Sequence, residues 1–353
     1  MKSFKLWNGK KIHVPSIQLP KIITHSIVHK SAAPYQFLLG ADIINFNDRL
    51  LCSWGASRKS ENDRYSVMNA ASSADGINWD DYFRISPPNC KGRGYSHGVL
   101  FNENSRLCAY IPCAKFNIGT YDDLHTIKVV YDNSQWVSEG IVIPEHFWPM
   151  TAPQQTPSGT LLMPGIIINE RGAMPAIARR ISISPEKWQI SIINVPGSKR
   201  VWGEGGLLIS DNKILYIFRN SWGAKNVACV SLSNDDGRTW SACTPTNFLM
   251  SQAKPCCGTL PDRRNYIVCN MPCENYRDRD TMVLALSPAN SWLFDKLWII
   301  RHGASPQNRA AGRDKGSQWA YPQACVKNGI LHIVYSSAKE DCVMSSIPIT
   351  ALD

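Results

Sequence analysis

The sequence predicts an all-β fold, a six-bladed β-propeller of four-stranded antiparallel blades, with seven blades as the alternative. Two independent repeats lead to this prediction. In the first, a polar turn is followed by a tryptophan, and these tryptophans are spaced by 57, 52, 52 and 52 residues. A period near 50 residues with short alternating strands is typical of propeller blades. The five positions are Trp79, Trp136, Trp188, Trp240 and Trp292.

The second repeat is an apolar run, a polar turn and another apolar run, and it occurs six times. Each copy reads as the hairpin that joins strands one and two of a blade. The polar turns begin at Asn47, Glu103, Pro157, Ser210, Pro261 and Lys327. Six hairpins indicate six blades, since residues 1–35 are too short to supply the four strands of a seventh.

The predicted blades span residues 36–79, 80–136, 137–188, 189–240, 241–292 and 293–350. Residues 36–350 are therefore expected to form a single propeller domain. Residues 1–35 are expected to form an N-terminal extension that adds a closing strand to the last blade. Such closure removes the exposed sheet edges that promote aggregation.

The composition limits the classes of partner. The 353 residues carry a net charge of +10, which suits nucleic acid, an anionic membrane surface or an acidic glycan. Basic residues are scattered over the predicted loops without a nucleic-acid motif, and no long apolar segment occurs. We therefore expect an acidic oligosaccharide or polysaccharide as the partner, and neither nucleic acid nor a membrane.

The N-terminus lacks the apolar core of a signal peptide, and the twelve cysteines form no C-x-x-C pair. This pattern favours a reduced, cytoplasmic protein, or a secreted one if a signal peptide has been removed. No metal-binding motif is visible, so no metal and no other cofactor is predicted. The sequence does not indicate the oligomeric state.

The strongest motif is Ser233–Trp240, which reads S-x-D-x-G-x-T-W, with a near copy at Ser72–Trp79. It resembles the Asp box of the sialidase superfamily, whose members are six- or seven-bladed propellers, and the similarity spans residues 35–350. Within that superfamily, shorter stretches resemble the ulvan lyases and their rhamnosidase relatives. These stretches are Ser53–Asn62, Ser96–Val99, Ser251–Pro255 with Gly258–Leu260, and Tyr321–Gln323.

Strand direction sorts the predicted site residues onto one face of the propeller. The start of strand one and the loop between strands two and three share an end of each blade, and the Asp-box turn lies at the other end. The strand starts contribute His97, Thr151, Glu204, Cys256 and Tyr321, and one falls beside Asp42. The loops contribute Arg58, Glu61, Asp63, Arg64, Lys115, Asn169, Arg171, Arg219, Asn220, Arg277, Arg279 and Lys339.

The resemblance to sialidases implies roles for four of these residues. There, a Glu at the start of blade four assists a Tyr nucleophile in the last blade, and Glu204 and Tyr321 match these positions. A neutral Tyr can attack beside a carboxylate without charge repulsion. Arg219 and Arg279 match arginines that bind the substrate carboxylate. The alternative is that Glu204 and Arg219 form a structural ion pair while Tyr321 packs at the edge of the core.

One departure from the sialidase pattern stands in blade one. Sialidases place Arg-Ile-Pro there, with the first of three carboxylate-binding arginines, whereas this chain has Gly40–Ile43. The acidic Asp of sialidases has no clear match either, although Asp63 lies in the corresponding loop. Arg58, Arg171 and Lys115 are further candidates for binding an anionic substrate.

His97 suggests a second chemistry, because its surroundings resemble the motif that carries a catalytic His in ulvan lyases. Such lyases need a base, an acid and a cation that neutralises the uronate carboxylate. His97 and Tyr321 would serve as the proton-transfer groups, and Arg219 or Arg279 would neutralise the uronate carboxylate. The alternative is a His that is hydrogen-bonded under a loop. His146 is expected to stack on a sugar or to pack in a buried corner.

The leading interpretation is a carbohydrate-active enzyme that cleaves a glycosidic bond at an acidic sugar, as an exo-acting hydrolase or transfer enzyme. One alternative is a polysaccharide lyase that acts by β-elimination with His97 and Tyr321. A third interpretation, favoured by the missing Arg-Ile-Pro, is a glycan-binding propeller without catalysis.

Overall fold

The computed structural model describes residues 3–90, 92–117, 120–169, 172–197, 201–210, 213–220, 226–273, 279–312 and 314–353. Within these ranges the only helices are two short 3-10 turns, Val14–Ser16 and Ile349–Leu352. Neither is long or apolar enough to cross a lipid bilayer. The strands form six antiparallel sheets, which confirms the predicted all-β, six-bladed propeller.

The strands follow the chain blade by blade. Strand β1 (Thr24–Lys30) precedes blade one, which comprises β2 (Phe37–Phe46), β3 (Arg49–Ser57), β4 (Val67–Ser73) and β5 (Phe83–Arg84). Blade two comprises β6 (Gly94–Tyr95), β7 (Val99–Glu103), β8 (Arg106–Asn117), β9 (Thr120–Asp132) and β10 (Gln135–Ile143). The short strand β11 (Phe147–Pro149) follows, and blade three then contains β12 (Gln154–Gln155), β13 (Leu161–Asn169), β14 (Gly172–Ile183) and β15 (Glu186–Ile192).

The last three blades repeat the same plan. Blade four comprises β16 (Gly205–Ser210), β17 (Lys213–Phe218), β18 (Val227–Ser233) and β19 (Thr244–Leu249). Blade five comprises β20 (Cys256–Thr259), β21 (Arg264–Asn270), β22 (Met282–Ala289) and β23 (Lys296–Arg301). Blade six comprises β24 (Trp319–Lys327), β25 (Ile330–Ser337) and β26 (Asp341–Pro348), with β1 as its fourth strand.

The chain divides into two compact units, which are described separately. Unit one consists of residues 1–19 and 150–303 and contains blades three, four and five. Unit two consists of residues 20–149 and 304–353 and contains blades one, two and six. In unit two, β1 pairs with β26, with Thr24 opposite Ser346 and Lys30 opposite Asp341.

Packing in unit one follows from the alternation of side chains along a strand. On β17, Leu215 and Ile217 join an apolar cluster that includes residues of blade five, such as Ile267. Tyr216 and Phe218 point the other way, into a cluster with Leu162 of blade three. Because successive side chains of a strand face opposite sides, a strand covered on both faces must be apolar throughout.

The Asp-box turn of blade four is a compact hydrogen-bonded unit. The Asp235 carboxylate accepts bonds from the Thr239 amide, at 2.9 Å, and from its hydroxyl, while Ser233 Oγ accepts one from the Gly237 amide at 3.0 Å. These bonds hold the pKa of Asp235 down at about 2, with the Thr239 side chain as the largest cause. The turn therefore keeps its charged acceptor across the physiological pH range.

The register of blade four confirms that the Asp box and the predicted site lie at opposite ends. Gly205, next to Glu204, pairs with Phe218, whereas Ser233 of the Asp box pairs with Ile214 at the far end of β17. The predicted hairpins between strands one and two are also confirmed in blades one, two and six. Their turn residues have left-handed φ angles, at Asn47 and Asp48, Asn104 and Ser105, and Asn328 and Gly329.

The predicted blade limits are wrong at the outer edge, because they end each blade at its tryptophan. In blades two and three the outer strands β10 and β15 contain Trp136 and Trp188, and in blade four β19 begins only after Trp240. The outer strands are partly exposed, with burial that varies irregularly along β10. They therefore lack the apolar runs by which the inner strands were recognised.

Asp236, in the same Asp-box turn, ties blade four to blade three. Its carboxylate accepts hydrogen bonds of 2.5 Å from the hydroxyls of both Thr156 and Thr160, and Arg179 lies 3.8 Å away. Burial opposes ionisation, but these hydrogen bonds outweigh it and lower the pKa of Asp236. The ionised carboxylate is thus the form that stabilises the fold.

We predict that Asp236→Asn lowers the free energy of unfolding at pH 7 by about 1.5–3 kcal/mol, the usual value of hydrogen bonds to a charged group. Because the folded pKa is below the reference of about 3.9, this stabilisation is present above about pH 4 and is lost as the pH falls further. Denaturant unfolding between pH 7 and pH 3 measures it. The difference in unfolding free energy between Asp236→Asn and wild type should become smaller at acid pH. The control Asp81→Asn, at an exposed position, should unfold with the same free energy as wild type. A gap that is equal at both pH values would contradict the assignment.

Candidate functional site

The structure places the predicted catalytic residues in two groups, one in each unit. His97 and Tyr321 lie together in unit two, and Glu204 and Arg219 lie together in unit one. Each group is built at the inner strands of its blades, where the sequence analysis expected the polar face.

His97 lies between β6 and β7, and only 6% of it is exposed. Its Nδ1 is 3.2 Å from Ser96 Oγ, and the Ser96 hydroxyl donates to Asn62 Oδ1. A hydroxyl has a single proton, so with that proton given to Asn62 the serine oxygen accepts from Nδ1–H. The chain Asn62–Ser96–His97 thereby assigns the proton to Nδ1 and leaves the lone pair on Nε2, as a general base requires.

Two glycines make the space that the imidazole occupies. A Cβ atom at Gly40 would lie 2.1 Å from Cγ of His97, and one at Gly55 would lie 2.7 Å from the His97 amide nitrogen. Gly40 also has a left-handed φ of 63°. The position at which blade one departs from the sialidase pattern is therefore packed directly against His97, and any side chain there would displace the ring.

Tyr321 stands on a bulge of the inner strand β24, where the register with β25 shifts between Ala320 and Gln323. Its φ is 59°, a conformation that is unfavourable for a bulky residue with a Cβ atom. The ring is buried and meets the His97 ring edge to face, with 5.8 Å between the centroids. Strained backbone of this kind is concentrated at functional sites, where it fixes the direction of a side chain.

Aromatic residues continue the wall on the other side of His97. The ring of Trp148 lies 5.2 Å from that of His97, and its Nε1 donates to the His97 carbonyl at 3.3 Å. Tyr121 then packs edge to face on Trp148 at 5.6 Å. His97 also borders a small pocket that is partly open to solvent, and its lining consists of Phe37, Leu39, Gly55, Ser57, Glu61, Asn62, Ser96 and His97.

In unit one, Glu204 precedes β16 and Arg219 follows β17. Arg219 Nη1 contacts Glu204 Oε2, and only 13% and 4% of the two side chains are exposed. The guanidinium also lies 5.7 Å from the centroid of the Trp202 ring. The pKa of Tyr216 is raised well above its usual value, mainly by burial and next by the nearby Glu204 carboxylate. Glu204 and Arg219 thus form the ion pair that the structural alternative expects. The role of this pair in binding or catalysis stays a prediction.

The remaining catalytic candidate, Asp63, is held within its own loop. Its carboxylate accepts hydrogen bonds from the amides of Tyr65, at 2.7 Å, and Arg58, at 3.1 Å. The guanidinium carbon of Arg58 lies 3.4 Å from the centroid of the Tyr65 ring. Asp63 and Arg58 thus shape the β3–β4 loop, and their predicted roles at the substrate stay predictions.

The other predicted binding residues are not among those that line the His97 pocket, or they fall outside the described residues. Lys115 pairs with Asp123 at 2.8 Å on an exposed hairpin of blade two. His146 is exposed, with a φ of 47°. In unit one, Arg279 donates to the Gln252 carbonyl at 3.0 Å. Arg171 lies outside the residues that the structure describes, so its predicted role is untested.

Sequence reasoning missed the residues that support His97. Asn62 and Ser96 occur in stretches quoted for their resemblance, but the hydrogen-bonded relay joins two blades and cannot be inferred from one strand. Gly40 was noted only as a departure from a pattern. A glycine inside a strand often marks a close approach of another group, so Gly40 was the signal that could have revealed a contact at this position.

Metal chemistry has no visible support in the described part of the chain. No three His, Cys, Asp or Glu side chains converge there to hold an ion. All twelve cysteines lie in the described ranges, and none of them forms a disulfide bond. Burial raises the pKa of Cys113 to about 11, so this thiol is protonated at neutral pH and is a poor nucleophile.

The chain can now be compared with known proteins. Residues 48–333 match the family described as a BNR repeat-like domain, which is most of the chain. No curated protein matches it by sequence.

Solved structures with the same fold include sialidases. A protein of unknown function from Dyadobacter fermentans superposes with a TM-score of 0.71 at 12% identity, over 92% of this chain and 98% of that one. The NanB sialidase of Streptococcus pneumoniae gives 0.70 at 10% identity, over 93% and 71%. Trypanosoma rangeli sialidase in complex with sialic acid gives 0.66 at 12%, over 96% and 60%. At these identities the likeness shows the fold alone.

We predict that Gly40→Ala destabilises the protein far more than Gly92→Ala. Both glycines have left-handed φ angles, 63° and 71°, so both substitutions carry backbone strain, but only the first places a methyl group on the His97 ring. Thermal melts of the two variants measure the difference. Equal melting temperatures would mean that the imidazole moves aside freely.

We further predict that Arg219→Met costs about 3–5 kcal/mol of unfolding free energy, because it leaves Glu204 buried without its cation. Adding Glu204→Gln to that variant should recover part of the loss, since the uncompensated charge is then removed. Chemical denaturation of the two variants and wild type measures both effects. A double variant no more stable than Arg219→Met would contradict this account.

Proposed function

The chain belongs to the BNR repeat-like family of the sialidase superfamily, and on that premise we propose that it is a carbohydrate-active enzyme that cleaves a glycosidic bond at an acidic sugar. The observation that carries the proposal is the buried contact between His97 and Tyr321 beside a polar pocket. The net charge of +10 agrees with an anionic substrate.

The chemistry that this pair supports best is β-elimination on a uronic acid. His97 Nε2 removes the proton at C5, the C4–C5 double bond forms, and the bond between C4 and the glycosidic oxygen breaks. The Tyr321 hydroxyl gives its proton to the leaving oxygen. The tautomer set by Ser96 and Asn62 supplies the lone pair that the first step needs.

Hydrolysis of the sialidase type is the second candidate. The observation that favours it is the buried Glu204–Arg219 pair, at the positions that match a carboxylate and an arginine of the sialidase site. In that scheme Tyr321 is the nucleophile and Glu204 removes its proton. The packing of His97 against Gly40, where sialidases have their first arginine, favours elimination over this scheme.

Three variants separate the two reactions on a uronate-containing glycan. For elimination, His97→Ala and Tyr321→Phe should each lower turnover by about 10²–10⁴, the usual loss for one proton-transfer group, while Glu204→Gln has a moderate effect. The ultraviolet absorbance of the unsaturated product measures turnover. Tyr335→Phe is the matched control, because it removes another buried hydroxyl of blade six, bonded to Ser345 at 2.6 Å.

Other outcomes identify the rivals. Release of a saturated sugar, with Tyr321→Phe and Glu204→Gln severe and His97→Ala mild, would establish hydrolysis instead. If the three variants keep wild-type turnover, the catalytic centre is elsewhere. Binding of acidic glycans by wild type without any product would leave a glycan-binding propeller and overturn the proposal of an enzyme.

A further inference from the structure

We propose that Lys339 and Asn62 form the subsite that receives the carboxylate of the acidic sugar next to His97. Elimination requires a cation at that carboxylate, because neutralising it acidifies the proton at C5. From the sequence, Arg219 or Arg279 is predicted in this role; Lys339 is a further cation, and its ion-pair partner Glu61 lines the pocket beside His97. This inference rests on the proposed function and names the residues that would bind the substrate carboxylate.

The backbone around Lys339 is rigidly held. Ala338 and Lys339, in the turn between β25 and β26, have left-handed φ angles of 54° and 52°. The Ala338 amide donates to the Gln318 carbonyl at 2.8 Å, and the Lys339 carbonyl accepts from the Leu38 amide at 3.0 Å. A strained turn fixed from both sides directs the lysine side chain before any ligand arrives.

The next residue, Glu340, does not compete for this ammonium group. Its carboxylate is bound by Lys315 Nζ at 2.7 Å and by the amides of Arg309 and Ala310 at 2.8 and 2.9 Å. Lys315 and Glu340 are almost fully buried, so this pair is a permanent part of the fold. Lys339 is thereby left for another partner.

Within the described residues, the ion-pair partner of Lys339 is Glu61, and the contact is long. Lys339 Nζ lies 3.3 Å from Glu61 Oε2, whereas charge-assisted bonds of this type are typically 2.7–2.9 Å. Only 7% of the Lys339 side chain is exposed, against 27% of Glu61. Glu61 can therefore turn toward solvent while the ammonium stays in place.

The ammonium group lies next to two residues that line the pocket beside His97. Its nitrogen is 5.7 Å from the centroid of the Phe37 ring, and Phe37, Glu61 and His97 all line that pocket. A substrate carboxylate entering the pocket would replace Glu61 as the anion at Lys339.

Asn62 supplies an independent indication of a ligand. Its Oδ1 accepts from Ser96, but its Nδ2 is buried in the pocket wall without a hydrogen-bond partner in the described parts of the chain. Buried polar groups in proteins are nearly always hydrogen-bonded, so an unmatched donor calls for a ligand or an ordered water. A carboxylate has enough acceptor sites to bind both the Asn62 amide and the Lys339 ammonium.

The test compares the binding of glucuronic acid with that of its uncharged methyl ester by titration calorimetry. Wild type should prefer the acid. Lys339→Met keeps the aliphatic stem but removes the charge, and should weaken binding of the acid about ten- to a hundredfold, with little change for the ester. Lys339→Arg should still prefer the acid over the ester, and Glu61→Gln should bind the acid at least as tightly as wild type. Lys296→Met, which changes an exposed lysine of β23, is the control and should bind both ligands as wild type does.

Two results would overturn the subsite: unchanged acid binding by Lys339→Met, or equal losses for acid and ester, which would mark a purely structural pair. Absence of glucuronate binding by wild type would overturn it as well. Because calorimetry needs no turnover, acid-selective binding without any product would uphold the subsite while refuting the enzyme. If Lys339→Met turns over uronate glycans as fast as wild type, the enzyme is upheld and the subsite is refuted.

Discussion

The structure depends on one constraint, that the middle strands of each blade are apolar on both faces and need a neighbouring blade on each side. In blade four, alternate residues of β17 enter two different apolar clusters, one with blade three and one with blade five. A single blade of this kind would expose hydrophobic surface to water. Repetition therefore stabilises the fold.

This constraint also explains where a site can be built. Close packing between blades leaves little freedom along the strands, and specific geometry arises where a strand departs from regularity. In unit two, two inner strands carry a bulge, one at Gly40 and Ala41 and the other at Tyr321 and Pro322. His97 packs against the first and contacts the ring at the second. The site is thus formed by irregular backbone held in place by regular packing.

The sequence predicted the fold well because its signals are local and repeated. The tryptophan spacing and the hairpin turns at Asn47, Asn104 and Asn328 each report on a few neighbouring residues. The outer strands were misplaced, because half-exposed segments such as β10 have no apolar pattern. His97 and Tyr321 were identified from register and motif, but the Ser96–Asn62 relay and the Lys339–Glu61 pair join different blades. Such contacts depend on how blades pack, which a single strand does not reveal.

The left-handed backbone at Tyr321 has an evolutionary consequence. A glycine would adopt that conformation without steric cost, but it would remove a buried ring that packs with Phe37, Leu39 and Ala320. In a relative that no longer needs the hydroxyl, the position should therefore drift to phenylalanine, which keeps the ring and loses only the oxygen. The residue found at this bulge would then separate working members of the family from descendants that keep only the scaffold.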